Sequence, residues 1–493
     1  MTARVLLTIL LVLTAFTGWT QQPVTKTNDI KVYMHYMPWF ETPASIGKWG
    51  WHWTMNNQNP NIMDAIGKRQ IAAHYYPLIG PYASRDKDVI EYHLLLMKLS
   101  GIDGVLINWY GSQGSNGDVN DLLTSSDAIV SYVDDFGMQF GVVLEDRFSR
   151  NIEDAKTNLR YLKNNYFNNP KYIRTGTGQD PLVGIFGPIT FQQPAQWTQI
   201  LAEAGEDVEF LTLWHESGDA GSNADGEYAW VYQDANQNNH LSHLDNFYNN
   251  KAPQLKTVMG SAYPGFKDFY AQGGAGSNYF SIPHENGATL DQTLARLTQH
   301  KSKLDMVQLV TWNDYGEGTI FEPTQETGFA YLKKVQAYTG VSYGEEELKL
   351  VYKLYQLRKQ YATDAAKQQR LNTASTHLRN LEIETARTIL QEMGPVLGIS
   401  EGQATVKGKL FKVFPNPATG KEIEIKFNKV SMRVAQLTVF DVAGKVLFQK
   451  EIPKGTSRLI LPIQNLGDGL YYFKMQDEAT LDIQKLLVRG MLP

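Results

Sequence analysis

Two carboxylates three positions apart stand in the densest run of reactive side chains in the sequence, Thr311-Trp312-Asn313-Asp314-Tyr315-Gly316-Glu317-Gly318-Thr319. Cleavage of a glycosidic bond calls for such a pair. One carboxyl donates a proton to the leaving oxygen, and the other, ionised, acts as base or nucleophile across roughly 5–9 Å. In an extended strand Asp314 and Glu317 would face opposite ways. A turn must bring them together, and Gly316 and Gly318 permit one because glycine tolerates positive φ. Burial against Trp312 and Tyr315 is expected to keep one carboxyl protonated. Taken as spacing alone, an acidic turn capping the next helix explains the pair equally well.

The company these acids keep favours chemistry. Tyr36, Trp39, Phe40, Trp49, Trp51, His52 and Trp53 follow one apolar run, Trp109-Tyr110 ends a second, and Trp214-His215 ends a third. Sugar rings stack their C–H faces on aromatic planes while their hydroxyls need polar partners, so such a mixture suits a saccharide. The expected contacts are Tyr36, Trp39, Trp51, His52, Trp109, Tyr110, Trp214, His215, Trp312, Asn313 and Tyr315, although some of these must be core. His284 and Glu285 are weaker candidates, since they can equally cap the helix that follows them.

A frame is needed to gather residues so far apart. Eight strands are expected, at Ile30–Trp39, Gly104–Tyr110, Gln139–Glu145, Pro181–Pro188, Glu209–His215, Glu227–Tyr232, Lys256–Tyr263 and Met306–Trp312. Amphipathic stretches such as Val89–Ser100, Asn120–Phe136, Ile152–Asn165 and Thr289–Lys301 fill the intervals. This rhythm predicts an α/β fold, a (β/α)8 TIM barrel over 27–340, with a doubly wound open sheet as the competitor. Its loops after the strands would hold the acids and the aromatic residues. A helical extension is expected over 341–394 and a Gly- and Pro-bearing linker over 395–409. Period-two alternation at Ile423, Ile425 and Phe427 opens about seven short strands, an all-β sandwich over 410–493.

The 493 residues are 42% apolar and 20% charged, enough to bury two or three cores. A formal charge of -5 offers no general attraction to nucleic acid. With no cysteine, disulfides, thiolate nucleophiles and Cys-bound metals are ruled out. Residues 1–20 read as a signal peptide, with Arg4 ahead of the apolar run Val5–Phe16. No other stretch is apolar enough to span a bilayer. No metal or cofactor motif appears: Gly273-Gly274-Ala275-Gly276 lacks the lysine of a phosphate loop, and Gly176-Thr177-Gly178 lacks a third glycine. Both are expected to be loops, and no cofactor is expected.

Longer motifs carry resemblances. Tyr75-Tyr76-Pro77-Leu78-Ile79-Gly80-Pro81-Tyr82, Gly101-Ile102-Asp103-Gly104-Val105-Leu106-Ile107-Asn108-Trp109-Tyr110, and His35-Tyr36-Met37-Pro38-Trp39 with Trp51-His52-Trp53 resemble glycoside hydrolase family 99 and the related family 71. The resemblance implies Glu317 as acid/base and Asp314 as the partner that deprotonates a sugar 2-hydroxyl, giving a 1,2-anhydro sugar and net retention. It also implies sugar contacts at Tyr76 and at Glu145, the latter set against a salt bridge to Arg147 or Arg85. Family 99 usually has glutamate at the first acid position, where this chain has Asp314. The wording Asn313-Asp314-Tyr315-Gly316-Glu317 is closer to family 71, whose members invert, so both outcomes stay open.

At the other end, Phe414-Pro415-Asn416-Pro417, Gly444-Lys445-Val446 and Gly469-Leu470-Tyr471-Tyr472-Phe473 resemble the type IX secretion sorting domain of Bacteroidetes-type bacteria. The alternative is an accessory sugar-binding sandwich. The expectation is a secreted or cell-surface endo-α-glycosidase acting on an α-mannan or α-glucan, with the type IX machinery as partner. The rival is a noncatalytic glycan-binding protein on the same barrel.

Overall fold

Apolar runs that are buried on both faces need a cover of helices on one side and a filled interior on the other. Gly104–Trp109 is such a run, buried at every position. The computed structural model describes residues 23–64, 67–394, 396, 411–427, 435–441, 446–476 and 481–489. The expected signal peptide lies outside the described residues, as does the expected linker apart from Val396.

Eight parallel strands form the barrel: β1 Lys31–Tyr36, β2 Gly104–Trp109, β3 Gln139–Leu144, β4 Asp180–Ile185, β5 Glu209–Leu213, β6 Gly226–Tyr228, β7 Thr257–Ala262 and β8 Met306–Leu309. Each pairs with the next, and β8 closes on β1 in the register Met306↔Lys31 to Leu309↔Met34. That closure excludes the open sheet. Several strands end earlier than expected. Residues 37–40 and 310–312 leave the sheet because their backbone is used elsewhere: Met37 pairs with the Asn313 side chain, and the Trp312 amide donates to the His35 carbonyl.

The covering helices are α1 Lys87–Leu99, α2 Val119–Val133, α3 Ile152–Asn165, α4 Pro194–Leu201, a single turn α5 Ser217–Ala220, α6 His240–Asn246, α7 Ala288–Gln299 and α8 Ala330–Thr339. Two of these helices start on a side-chain cap. Asp86 accepts from the Asp88 amide ahead of α1, and Asn151 accepts from the Glu153 and Asp154 amides ahead of α3.

Inward side chains from alternate positions, among them Leu106, Val143, Leu182, Leu211, Tyr228 and Met259, fill the barrel and leave a void of only about 10 Å³. One step nearer the C-terminal mouth the inward positions turn polar: Asn108 follows Leu106, and Glu145 follows Val143. His35 on β1 spans this layer, one ring nitrogen 3.2 Å from Gln308 and the other 3.4 Å from Asn108.

Residues to Val351 with Thr376–Ile383 make one compact unit, and Tyr352–Ser375 with the residues from Glu384 make the other. The extension contains three helices, α9 Glu345–Gln360, α10 Ala365–Arg379 and α11 Ile383–Glu392. Beyond them, seven antiparallel strands among the described residues form two sheets. β9 Phe411–Phe414, β10 Glu422–Phe427 and β13 Arg458–Pro462 make the first, and β11 Ala435–Asp441, β12 Val446–Ile452, β14 Gly469–Gln476 and β15 Leu481–Val488 the second. Ile423, Ile425, Leu437, Val439, Phe473 and Leu486 fill the space between, the inward half of each alternation. Asn416, in the Phe-Pro-Asn-Pro run, donates to the Lys485 carbonyl at 2.6 Å and accepts from the Leu487 amide at 3.0 Å, pinning the start of the sandwich to its last strand. No helix among the described residues is long and apolar enough to cross a membrane.

Barrel closure tolerates no side chain at Gly226, where a Cβ would lie 1.7 Å from the Thr257 carbonyl oxygen of the neighbouring strand. Gly226→Ala is therefore expected to cost about 1–3 kcal/mol of stability, read as a lowered thermal midpoint; an unchanged midpoint would contradict the tight β6–β7 contact.

Candidate active site

After β8 the chain folds into a small hairpin, Asn313–Asp314 against Thr319–Ile320, that carries both acids. The Thr311 hydroxyl accepts from the Asp314 amide at 2.8 Å and donates to the Thr319 carbonyl at 2.6 Å, fastening the two arms. The Glu317 amide donates to Asp314 Oδ1 at 3.0 Å, so the first acid orders the turn that presents the second. Of the two glycines, Gly318 takes positive φ (70°) and Gly316 does not. The Lys267 and Phe269 amides donate to the Glu317 and Gly316 carbonyls, both at 2.8 Å, and so tie the turn to the loop after β7.

Asp314 is 6% exposed and Glu317 is half-buried. Burial is the main force raising the Asp314 carboxyl above its ordinary range; the Glu317 and Gly316 amides oppose it, and the Glu145 charge adds to it. Burial also raises Glu317, and the Asp314 charge pushes it further. Two close carboxylates in one dry site cannot both ionise cheaply, so the pair retains a proton toward neutral pH. Glu145, at the exit of β3, accepts from Asn108 Nδ2 at 3.0 Å and pairs with Arg147 Nε at 2.7 Å. Of the two alternatives expected of it, the salt bridge is present, and it is made to Arg147. Arg85 instead pairs with Glu41 and Asp121.

An aromatic wall stands on the Asp314 and Glu145 side. The Trp39 ring stacks flat on His52, 4.1 Å away and 5° from parallel, and lies 6.1 Å from Tyr110. Tyr110 packs on Phe148 at 4.2 Å, and burial first, then the Glu145 and Asp314 charges, raise its hydroxyl. Burial lowers His52 to about 3, which leaves it neutral. Trp51 is 40% exposed at the edge of a cavity of about 230 Å³ that Trp39, Glu41 and Asp118 also line. Trp39, Trp51, His52, Tyr110 and Glu145 are thereby gathered at the strand exits.

Other expected contacts are displaced from this surface. Trp109 points out of the barrel onto Tyr161 and Tyr166 and is fully buried, because Asn108 holds the inward position on β2. Tyr36, also buried, bonds His93 at 2.9 Å. Trp312 packs edge-on to the same histidine. Tyr315 is sealed beneath the hairpin by Phe40 and Trp53. Asn313 spends its amide on Met37 and the Tyr82 hydroxyl, bracing the hairpin from below. Trp214, half-buried, and His215, exposed, follow β5, stack on each other and meet Phe247 edge-on. Tyr76 braces its own loop through the Arg69 amide and Glu326, while its neighbour Tyr75 is the residue against Gly318. His284 bonds Tyr331, and the N-cap of α7 is Gly287 with no side-chain cap, so neither His284 nor Glu285 caps that helix.

Two groups were not expected from the sequence. Tyr270, in the loop after β7, donates to Glu317 Oε1 at 3.0 Å; at 47 positions' separation no local pattern marks it. Asn108 and His35 form the polar floor, and their signal is a polar residue inside an otherwise apolar strand. The large exposed apolar side chains of the barrel unit, Trp51, Ile62, Met63, Ile189, Tyr232 and Tyr279, all lie on loops that leave the strand exits. Among the described residues no group of three or more His, Asp or Glu side chains is arranged to hold a metal.

Residues 412–489 match the secretion system C-terminal sorting domain. Over 341 residues the chain is 25% identical to the mouse glycoprotein endo-alpha-1,2-mannosidase, covering 62% of this chain and 71% of the mouse protein. Against the rat glycoprotein endo-alpha-1,2-mannosidase it is 25% identical over 35% of this chain, which is 40% of the rat protein's length. The solved endo-alpha-mannosidase of the same family from Bacteroides thetaiotaomicron superposes with a TM-score of 0.50 at 20% identity, over 66% of this chain and 99% of that one, a likeness of fold. Residues 27–362, more than half of the sequence, match glycosyl hydrolase family 99, and the chain belongs to that family of glycoside hydrolases.

Proposed function

We propose that this glycoside hydrolase is an endo-acting α-mannosidase that cuts within α-1,2-linked mannose chains, with Glu317 as general acid and Asp314 as its partner base. The observation that carries the reading is one turn presenting a buried and a half-buried carboxyl that between them keep a proton. The choice of mannan over glucan rests on what the mouse and rat relatives are named for.

Glu317 is assigned the shared proton, because burial raises its carboxyl and the Asp314 charge raises it further. It gives that proton to the glycosidic oxygen as the bond to the anomeric carbon breaks. Asp314, whose charge the Glu317 and Gly316 amides favour, takes the proton of the neighbouring 2-hydroxyl, whose oxygen then closes on the anomeric carbon. Water opens the resulting 1,2-anhydro ring, with Glu317 removing its proton and Asp314 returning one to the sugar oxygen. Both acids end as they began, and the anomeric configuration is retained. The sorting domain supports secretion or display at the cell surface, with residues 1–20 as the proposed export signal and the type IX machinery as the proposed carrier.

Glu317→Gln is expected to lower turnover of an α-1,2-mannan oligosaccharide by about 10³-fold or more, while equilibrium binding of the same oligosaccharide stays within a factor of a few. Unchanged turnover would remove Glu317 from its role. Products followed by NMR should appear first as the α anomer; a β product would assign Asp314 to activating water instead.

A stability measurement tests the buried charge independently. A carboxyl raised by folding loses its proton in the unfolded chain first, so the parent protein loses stability as pH climbs from about 4.3 through neutrality. Glu317→Gln has no such proton to lose. Its thermal midpoint should rise relative to the parent as pH increases over that window, and a constant difference would argue against burial as the cause.

A further inference from the structure

The loop after β7 contains Gly273-Gly274-Ala275-Gly276, a run that the acids and the aromatic wall leave unexplained. Its ends are clamped by one buried carboxylate: Asp268, 3% exposed, accepts from the Tyr270 amide through Oδ1 at 3.2 Å and from the Tyr279 amide through Oδ2 at 2.9 Å. Within the clamp, Asn278 accepts from the Ala271 amide at 3.0 Å. The glycines let this loop close against the one after β1. A Cβ at Gly273 would sit 2.2 Å from the Met55 sulfur. Asn56 donates to the Gly274 carbonyl and Asn57 to the Gln272 carbonyl, both at 2.7 Å.

This bracing presents one aromatic side chain to solvent. Tyr279 is 63% exposed, yet its ring lies 5.5 Å from that of Tyr270 in an edge-to-face contact, and the Tyr270 hydroxyl donates to Glu317. Tyr279 thus adjoins, through Tyr270, the acid that the turn presents at Glu317. A general acid sits over the glycosidic oxygen, so the surface on its far side faces the departing half of the chain.

We propose that Tyr279, on the loop clamped by Asp268, is the stacking platform of a sugar subsite on the leaving-group side of the cleaved bond. The occupant is a hexopyranose, whose C–H face covers the exposed ring. Substrates with a sugar beyond the cut are then selected over those with a small leaving group, and the enzyme acts inside chains. This rests on the assignment of Glu317 as acid.

The test compares an α-1,2-linked mannotetraose with α-mannobiosyl fluoride, which offers the same sugars before the cut and none after it, on the full-length protein. In Tyr279→Ala the ratio of kcat/KM for the tetraose to that for the fluoride should fall by roughly three- to tenfold, through KM of the tetraose. Tyr279→Phe, which keeps the ring, should preserve the ratio. An unchanged ratio in Tyr279→Ala, with wild type cleaving both substrates, overturns the subsite and leaves the active-site reading standing. Wild type that cleaves neither overturns that reading and the subsite with it.

Discussion

One hydrogen bond, from the Glu317 amide to the Asp314 carboxylate, sets the arrangement of the mouth of the barrel. It makes the two acids a single rigid turn whose direction is fixed as soon as the hairpin is docked. The docking is done from three sides. Thr311 closes the arms, Asn313 bolts the hairpin to Met37 after β1, and the Lys267 and Phe269 amides hold it after β7. Barrel closure between β8 and β1 is what brings Met37 within reach of Asn313. Fold and site are therefore one argument: a sheet that failed to close would leave Asn313 without Met37.

Beneath the acids the barrel changes character over a single step of its strands. The interior is filled by Leu106, Val143 and their neighbours, then gives way to His35, Asn108 and Glu145. Fixed polar groups in a dry environment act more strongly than the same groups in water. The carboxyls at the mouth are raised for the same reason, since little solvent is left to stabilise their charges.

The architecture was legible because eight apolar runs separated by amphipathic stretches admit few arrangements. The acids were legible because they follow the last run. The aromatic contacts were less so, for a definite reason. Barrel strands are buried on both faces, so apolarity alone does not say which residues look inward. Trp109 and Asn108 are adjacent, and the less conspicuous asparagine is the one that reaches the site. The better guide is the odd polar residue near the end of an apolar strand, at His35, Asn108 and Glu145. Tyr270 left no trace of this kind, since its meeting with Glu317 depends on how two distant loops are laced.

The anchors at residues 267 and 269 are main-chain amides. Their side chains can drift through almost the whole alphabet without removing either donor, proline alone excepted. The turn bearing the acids is thus insulated from mutation in the loop that grips it. The loop after β7 can therefore change its side chains at these positions while the turn keeps its direction.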